Sequence, residues 1–318
     1  MKILVVGLGT IGTIYGYAFQ KAGHEVEHYL RKDSPKAAVR QLRVDLLDGR
    51  TEKNGVESSD IYQVKHCSSK VYDFIFVSVP SGGLASVIDN LAAEGISGTL
   101  ILACGIWEDR AYVENIVKGR SYILGYPVAG GNLKDNKLSC CLFDHFMLER
   151  KEKAVIPNYQ DLVQLFSDCQ IKLEQPYDML EWIWLHMAIN AGVISAIGKY
   201  ADMVDTEAAV EAAMKSSQTL KAAVKNIRET SQIVAARGLT LKNYNDELLA
   251  YKIPTFLSVP LMKRMFAKKV LTRKIMTLHN NLSDLLFVCK CVYDSGQAMK
   301  LAAPHFYQSY EETLNKLS

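Results

Sequence analysis

The chain has 318 residues, too many for one comfortable core and suited to two domains. Its hydrophobic share of 49% and charged share of 22% are those of an ordinary globular protein. A formal net charge of only +3 gives no general reason to bind nucleic acid or a membrane, so any preference for anions must be local.

The first half alternates short apolar runs with helical stretches. Residues 3–6 read as a buried strand, 12–22 as a helix closed by Gly23, and 25–30 as a second strand. A third strand follows at 73–79, then a helix at 84–91, a strand at 99–103 and another at 122–124. Strands alternating with helices imply parallel strand–helix–strand units, and near-continuous apolar strands imply a sheet covered on both faces. Residues 137–155 are less regular and read as a candidate antiparallel pair. A helix at 161–166 and a strand at 171–174 end the alternation.

From Asp178 onward the pattern is helical. Asp178 with Glu181 three residues on reads as a capping box, and 179–197 is apolar almost all round, as in a buried helix. Further helices are expected over 206–237, 273–298 and 304–317. The expected fold class is therefore α/β, an N-terminal Rossmann doubly wound parallel sheet plus an all-α C-terminal domain. The expected domains are 1–176 and 177–318, the second completing the active site. Residues 182–197 are interrupted by His186 and Asn190 and fall short of a bilayer span. Seven cysteines, an odd number with no CxxC pair, read as buried thiols in a reducing compartment. A cytoplasmic protein is expected.

Gly7-Leu8-Gly9-Thr10-Ile11-Gly12 is a GxGxxG sequence after a strand and at the opening of a helix, the context a dinucleotide site requires. Gly7 permits the tight turn, Gly9 lets a pyrophosphate approach the backbone, and Gly12 lets helix and strand pack closely. The unpaired amides at the helix start, from Thr10 and Ile11 onward, face the phosphate charge. An NAD site wants an acid at the end of the second strand. Here Arg31 and Lys32 follow Tyr29-Leu30, and a guanidinium with an ammonium suits a 2′-phosphate. The expected cofactor is NADP(H).

The segment from Val6 through Gly12 to Tyr15-Gly16, with Ala22-Gly23-His24-Glu25-Val26 and Leu30-Arg31, resembles the opening of the ketopantoate reductase (2-dehydropantoate 2-reductase) family. The resemblance extends more weakly over the whole chain. It implies a two-domain reductase of a 2-keto acid with NADPH, acting in pantothenate biosynthesis. The family's Trp-x-Lys-x-x-x-Asn helix is matched by Trp184, His186 and Asn190, with histidine in place of the general-acid lysine. Pro80 stands where the family often has a lysine, and Cys104-Gly105 where it has Asn-Gly. Both positions are carried over as cofactor contacts. The family's later substrate-binding Ser and Glu have no match over 255–279. Residues 126–131, Tyr-Pro-Val-Ala-Gly-Gly, are similar to the substrate loop of β-hydroxyacid dehydrogenases and equally to a plain strand-to-loop turn.

Reduction of a ketone develops negative charge on its oxygen, so a donor must hold that oxygen and protonate it. His186 and Asn190, four residues apart, share one helix face. Histidine suits the acid role because its pKa lies near working pH, and Asn190 is expected to orient the carbonyl. The run Lys263, Arg264, Lys268, Lys269, Arg273 and Lys274 reads either as a solvated face or as a holder of carboxylate or phosphate, with His279, Asn280 and Asn281 just beyond. The expected partner is a small carboxylate substrate, with no nucleic acid and no membrane, and a homodimer by analogy. The alternatives are a non-catalytic NADP(H) sensor and a β-hydroxyacid or opine-type dehydrogenase.

Overall fold

The computed structural model describes residues 1–31, 33–80, 82–278 and 281–317 and divides into two compact units, Met1–Leu180 and Glu181–Ser318. Lys32, His279 and Asn280 lie outside the described residues.

The strands of the first unit are β1 (Lys2–Val6), β2 (Glu25–Tyr29), β3 (Gln41–Asp48), β4 (Val56–Gln63), β5 (Val71–Val77) and β6 (Ser97–Ala103), then β7 (Tyr122–Tyr126), β8 (Ala129–Lys134), β9 (Lys137–Leu142), β10 (His145–Leu148) and β11 (Lys172–Glu174). Its helices are α1 (Thr10–Lys21), α2 (Leu84–Ala93), α3 (Arg110–Val117) and α4 (Tyr159–Asp168). Seven strands form one sheet in the order β11-β10-β7-β6-β5-β1-β2. All neighbours from β2 to β7 are parallel, and only β10 runs against β7. This is the wound α/β sheet expected from the apolar strand runs. The carboxyl ends of β2, β1, β5 and β6 therefore open side by side on one edge.

A second sheet, β4-β3-β9-β8, was not legible as such. Its strand β3 carries a period-two signal, with Leu42, Val44 and Leu46 buried and Arg43 exposed. Strand β4 is mostly polar and exposed, as an edge strand tolerates. The antiparallel pair expected within 137–155 does not form: its two strands, β9 and β10, fall in different sheets, β10 antiparallel to β7 and β9 antiparallel to the preceding β8 across the turn residues Asp135 and Asn136 at φ 50° and 58°.

Helix α1 shows why two sheets are needed. Eight consecutive residues, Gly12 through Phe19, are buried, whereas a helix on one sheet buries only a stripe. On one side Tyr15 and Phe19 meet Phe76 of β5, with ring centroids 5.1 and 5.8 Å away. Val44 and Leu46 of β3 and Leu138 and Cys140 of β9 belong to the same buried cluster. Phe146 and Phe166 stack at 4.6 Å and extend that aromatic core.

The second unit is all helical. It comprises most of α5 (Met179–Tyr200), then α6 (Thr206–Lys215), α7 (Ser217–Ala236), α8 (Asn245–Lys252), α9 (Thr255–Lys268), α10 (Val270–Leu278), α11 (Leu282–Ala298) and α12 (Pro304–Leu317). The stretch expected as one helix over 206–237 breaks at Ser216. That residue is extended, and its hydroxyl accepts from the Thr219 amide at 3.1 Å, starting a new helix. The stretch over 273–298 likewise divides, into α10 and α11. By length and composition α5 is apolar enough to cross a membrane, longer than the run read from sequence. However, 67% of its apolar window is buried inside the protein, as in a core helix.

Phe146 is wholly buried, so Phe146→Ala is expected to destabilise the first unit by about 3–5 kcal/mol. Urea titration followed by tyrosine fluorescence measures this, and a loss under about 1 kcal/mol would show that the site collapses around the deletion.

Candidate functional site

The turn between β1 and α1 has three different glycine environments. Gly7 has φ 82°, a conformation that L side chains rarely adopt. A Cβ on Gly12 would stand 2.8 Å from Val5 Cγ1, so the helix could not lie so close to β1. Gly9 faces open space among the described residues, none of which lies within 4 Å of an added Cβ. Gly9 is also the N-cap of α1 and supplies no side chain to satisfy the first-turn amides of Thr10, Ile11 and Gly12. Such amides, with the positive end of the helix dipole, attract phosphate oxygens.

The turn is braced from below. The Gly7 amide donates to Tyr29 O at 2.8 Å. The Gly7 carbonyl accepts from His28 Nδ1 at 2.7 Å, and His28 Nε2 lies 2.7 Å from Tyr62 Oη of β4. A carbonyl only accepts, so Nδ1 carries the proton and Nε2 takes the tyrosine hydrogen. Burial pushes the His28 pKa down to about 4, against the Gly7 carbonyl that favours the cation and with His66 adding repulsion. The ring is thus neutral at pH 7. This brace was not read from sequence: in the polar run Glu25–Tyr29 nothing local marks His28, which folding buries wholly.

Other expected residues stand around the same turn. Arg31 follows β2, is mostly exposed, and holds Asp33 at 3.9 Å. Lys36, not singled out by sequence, folds back so that Nζ donates to the Leu8 carbonyl at 2.7 Å. Pro80 follows β5 and is exposed; its carbonyl accepts from the Gly83 amide. Cys104 follows β6 with its thiol buried and pushed up to about 12, first by desolvation and then by Glu108. Ser78 Oγ, just past β5, is a buried hydroxyl with no hydrogen-bond partner among the described residues. It lies 3.1 Å from the Cβ position of Gly12. The residues present therefore fit a dinucleotide. An open, uncapped amide turn has an orphaned hydroxyl and two cations beside it.

Gly130 and Gly131, at the loop similar to that of β-hydroxyacid dehydrogenases, open β8. A Cβ on Gly131 would stand 2.8 Å from the backbone oxygen of Ser139 and 3.0 Å from Thr10 Cγ2. The small residue lets β8 cross the start of α1, which is a packing reason for this sequence.

In the second unit His186 and Asn190 sit one turn apart on α5, both partly exposed. His186 stacks on Trp182 with centroids 5.0 Å apart and planes at 11°. Trp182 is fixed in turn by Nε1 donating to Glu247 Oε1 at 3.2 Å. An indole face attracts a cationic ring. In the basic run, Arg273 is occupied by the Phe266 and Ala267 carbonyls at 2.7 and 2.8 Å, sealing the end of α9, and Lys263 reaches Ser217.

A wound parallel sheet with a glycine turn, followed by a helical unit, defines a two-unit dinucleotide-binding fold. Residues 3–105 match the family model described as ketopantoate reductase PanE/ApbA, in line with the sequence resemblance. No curated protein matches the chain in sequence. Among solved structures, a dimeric ketopantoate reductase from Staphylococcus aureus aligns at 13% identity with TM-score 0.62, over 99% of this chain and 98% of that one. A D-mandelate dehydrogenase in ternary complex with NADH and anilino(oxo)acetate aligns at 13% identity with TM-score 0.69, over 99% and 98%. An NADP+-bound yersinopine dehydrogenase aligns at 11% identity with TM-score 0.61, over 100% and 91%. These likenesses establish the fold: a Rossmann-like sheet and a helical C-terminal part.

The brace predicts a pH dependence. Unfolded histidine titrates near 6.5, well above the buried ring, so on acidification the unfolded chain takes up the proton first. The stability that His28 contributes in its neutral form is present above about pH 6.5 and lost down to about pH 4, in full on the order of 3 kcal/mol. His28→Gln is expected to be less stable than the parent at pH 7.5 but to lose less on going to pH 4.5, measured by urea melts. Equal acid losses in both proteins would exclude the ring as the source.

Proposed function

We propose that the protein is an NADPH-dependent reductase of a 2-keto acid, of ketopantoate reductase type. The observation that carries this is the uncapped amide turn at Gly7–Gly12, open at Gly9 and flanked by cations instead of an acid at the end of β2. Thr10, Ile11 and Gly12 hold the pyrophosphate by their amides, and Ser78 supplies a further hydroxyl. The cations after β2, Arg31 and Lys32 among them in sequence, favour a 2′-phosphate over a free ribose hydroxyl. Pro80 and the backbone at Cys104 shape the nicotinamide side. When bound, the nicotinamide supplies the hydride.

His186 donates the proton that the substrate oxygen needs, from a ring held flat on Trp182. Asn190, one turn on, donates to the carbonyl oxygen and orients it. The substrate is a small carboxylate, the setting cytoplasmic and the assembly a homodimer, in line with the dimeric Staphylococcus aureus relative. The mandelate and yersinopine dehydrogenases that share the fold widen the candidates to other 2-oxo acids and to condensation of a keto acid with an amine. They favour a dehydrogenase over a non-catalytic sensor.

NADPH oxidation followed at 340 nm with ketopantoate and a panel of 2-oxo acids, each with and without amino acids, is the test. Turnover is expected with at least one 2-oxo acid alone. Activity only with an amino acid present would give the opine-type reading instead. His186→Ala is expected to lower kcat by about 10²–10⁴-fold. Unchanged kcat in that variant would remove His186 from the mechanism.

A further inference from the structure

Arg31 is the residue that the motif assigns to the 2′-phosphate, yet its surroundings are poorly built for the task. Its side chain is largely solvated, and the Asp33 carboxylate lies 3.9 Å from its Nε. A carboxylate so near repels a phosphate and competes for the guanidinium. Lys36 is different. The loop after β2 turns back on itself, with the Ser34 amide on Arg31 O and the Ala37 amide on Ser34 O. A further contact from the Lys36 amide to Ser34 Oγ helps present Lys36 toward the glycine turn. Its ammonium is half-buried and donates to the carbonyl of Leu8, the residue between Gly7 and Gly9.

An ammonium has three hydrogens, and the Leu8 carbonyl takes one. No carboxylate among the described residues forms an ion pair with Lys36. Burial accordingly pulls its pKa down, with no acid opposing. A cation held in this way, beside an open turn, is kept at a cost that a bound dianion offsets.

We propose that Lys36 is the principal cation for the 2′-phosphate of the dinucleotide and sets the preference for NADPH over NADH. This rests on the cofactor reading above. The Leu8 carbonyl fixes Nζ at the mouth of the turn, on the side of β2 where the adenosine ribose of such sites lies. Arg31 then supplies attraction at longer range from its solvated position.

Titration calorimetry with NADPH and NADH on the full chain tests this, with Lys36→Met, Lys36→Arg and Arg31→Ala alongside the parent. Lys36→Met is expected to weaken NADPH by roughly 10- to 100-fold, the range of a charge-assisted hydrogen bond, and to leave NADH within about twofold. Lys36→Arg is expected to keep most of the preference, and Arg31→Ala to cost less than Lys36→Met. Unchanged NADPH affinity in Lys36→Met overturns the proposal. So does equal weakening of both coenzymes, which would make Lys36 a support for the turn or a pyrophosphate contact. A parent that binds neither coenzyme, with an intact thermal transition, would instead sink the dinucleotide reading itself. Preserved parent binding with no Lys36 effect sinks only the assignment of the lysine.

Discussion

The first unit depends on helix α1 being buried from both sides. One sheet alone would leave half of Gly12–Phe19 to water; the second sheet, joined through β3 and β9, covers the rest. This sandwich fixes where α1 begins, and with it the direction in which the first-turn amides point. The hydrogen-bonded path from Tyr62 through His28 to the Gly7 carbonyl carries that constraint from the second sheet to the turn. The geometry of the uncapped turn is thus set by packing behind it.

Local charge placement then gives the turn its character. The chain as a whole is nearly neutral, so no long-range field gathers anions. Near the turn stand the amino end of α1 and the half-buried Lys36, with Arg31 solvated after β2. The second unit treats its polar residues in the same way. Trp182 is anchored by Glu247, and His186 lies on its ring, so the position of the imidazole is set by stacked area and one hydrogen bond.

Much of this architecture could be read from the chain because its signals are local. The apolar runs of β1, β5 and β6, the glycines of the first turn and the helical periodicity beyond Asp178 each depend on neighbours a few residues away. The fold class and the glycine turn follow from them. Strand β4 gave no such signal, because a polar edge strand is stabilised by the strand it pairs with. Lys36 and Leu8 lie 28 residues apart, and His28 and Tyr62 lie 34 apart, so their meeting is a product of tertiary folding. The helix break at Ser216 was hidden for a related reason. A hydroxyl cap costs little in sequence pattern but redirects the backbone.

The parallel pairing of β3 with β9 has a consequence for dividing the molecule. The segment that matches the family, residues 3–105, stops just after β6. Cut there, the polypeptide would lose β7 from the flank of β6 and β9 from the flank of β3, baring two apolar strand borders at once. Unpaired borders of that kind invite addition of strands from other molecules. The segment that matches the family model is therefore not a separable module, and self-association would accompany its isolation.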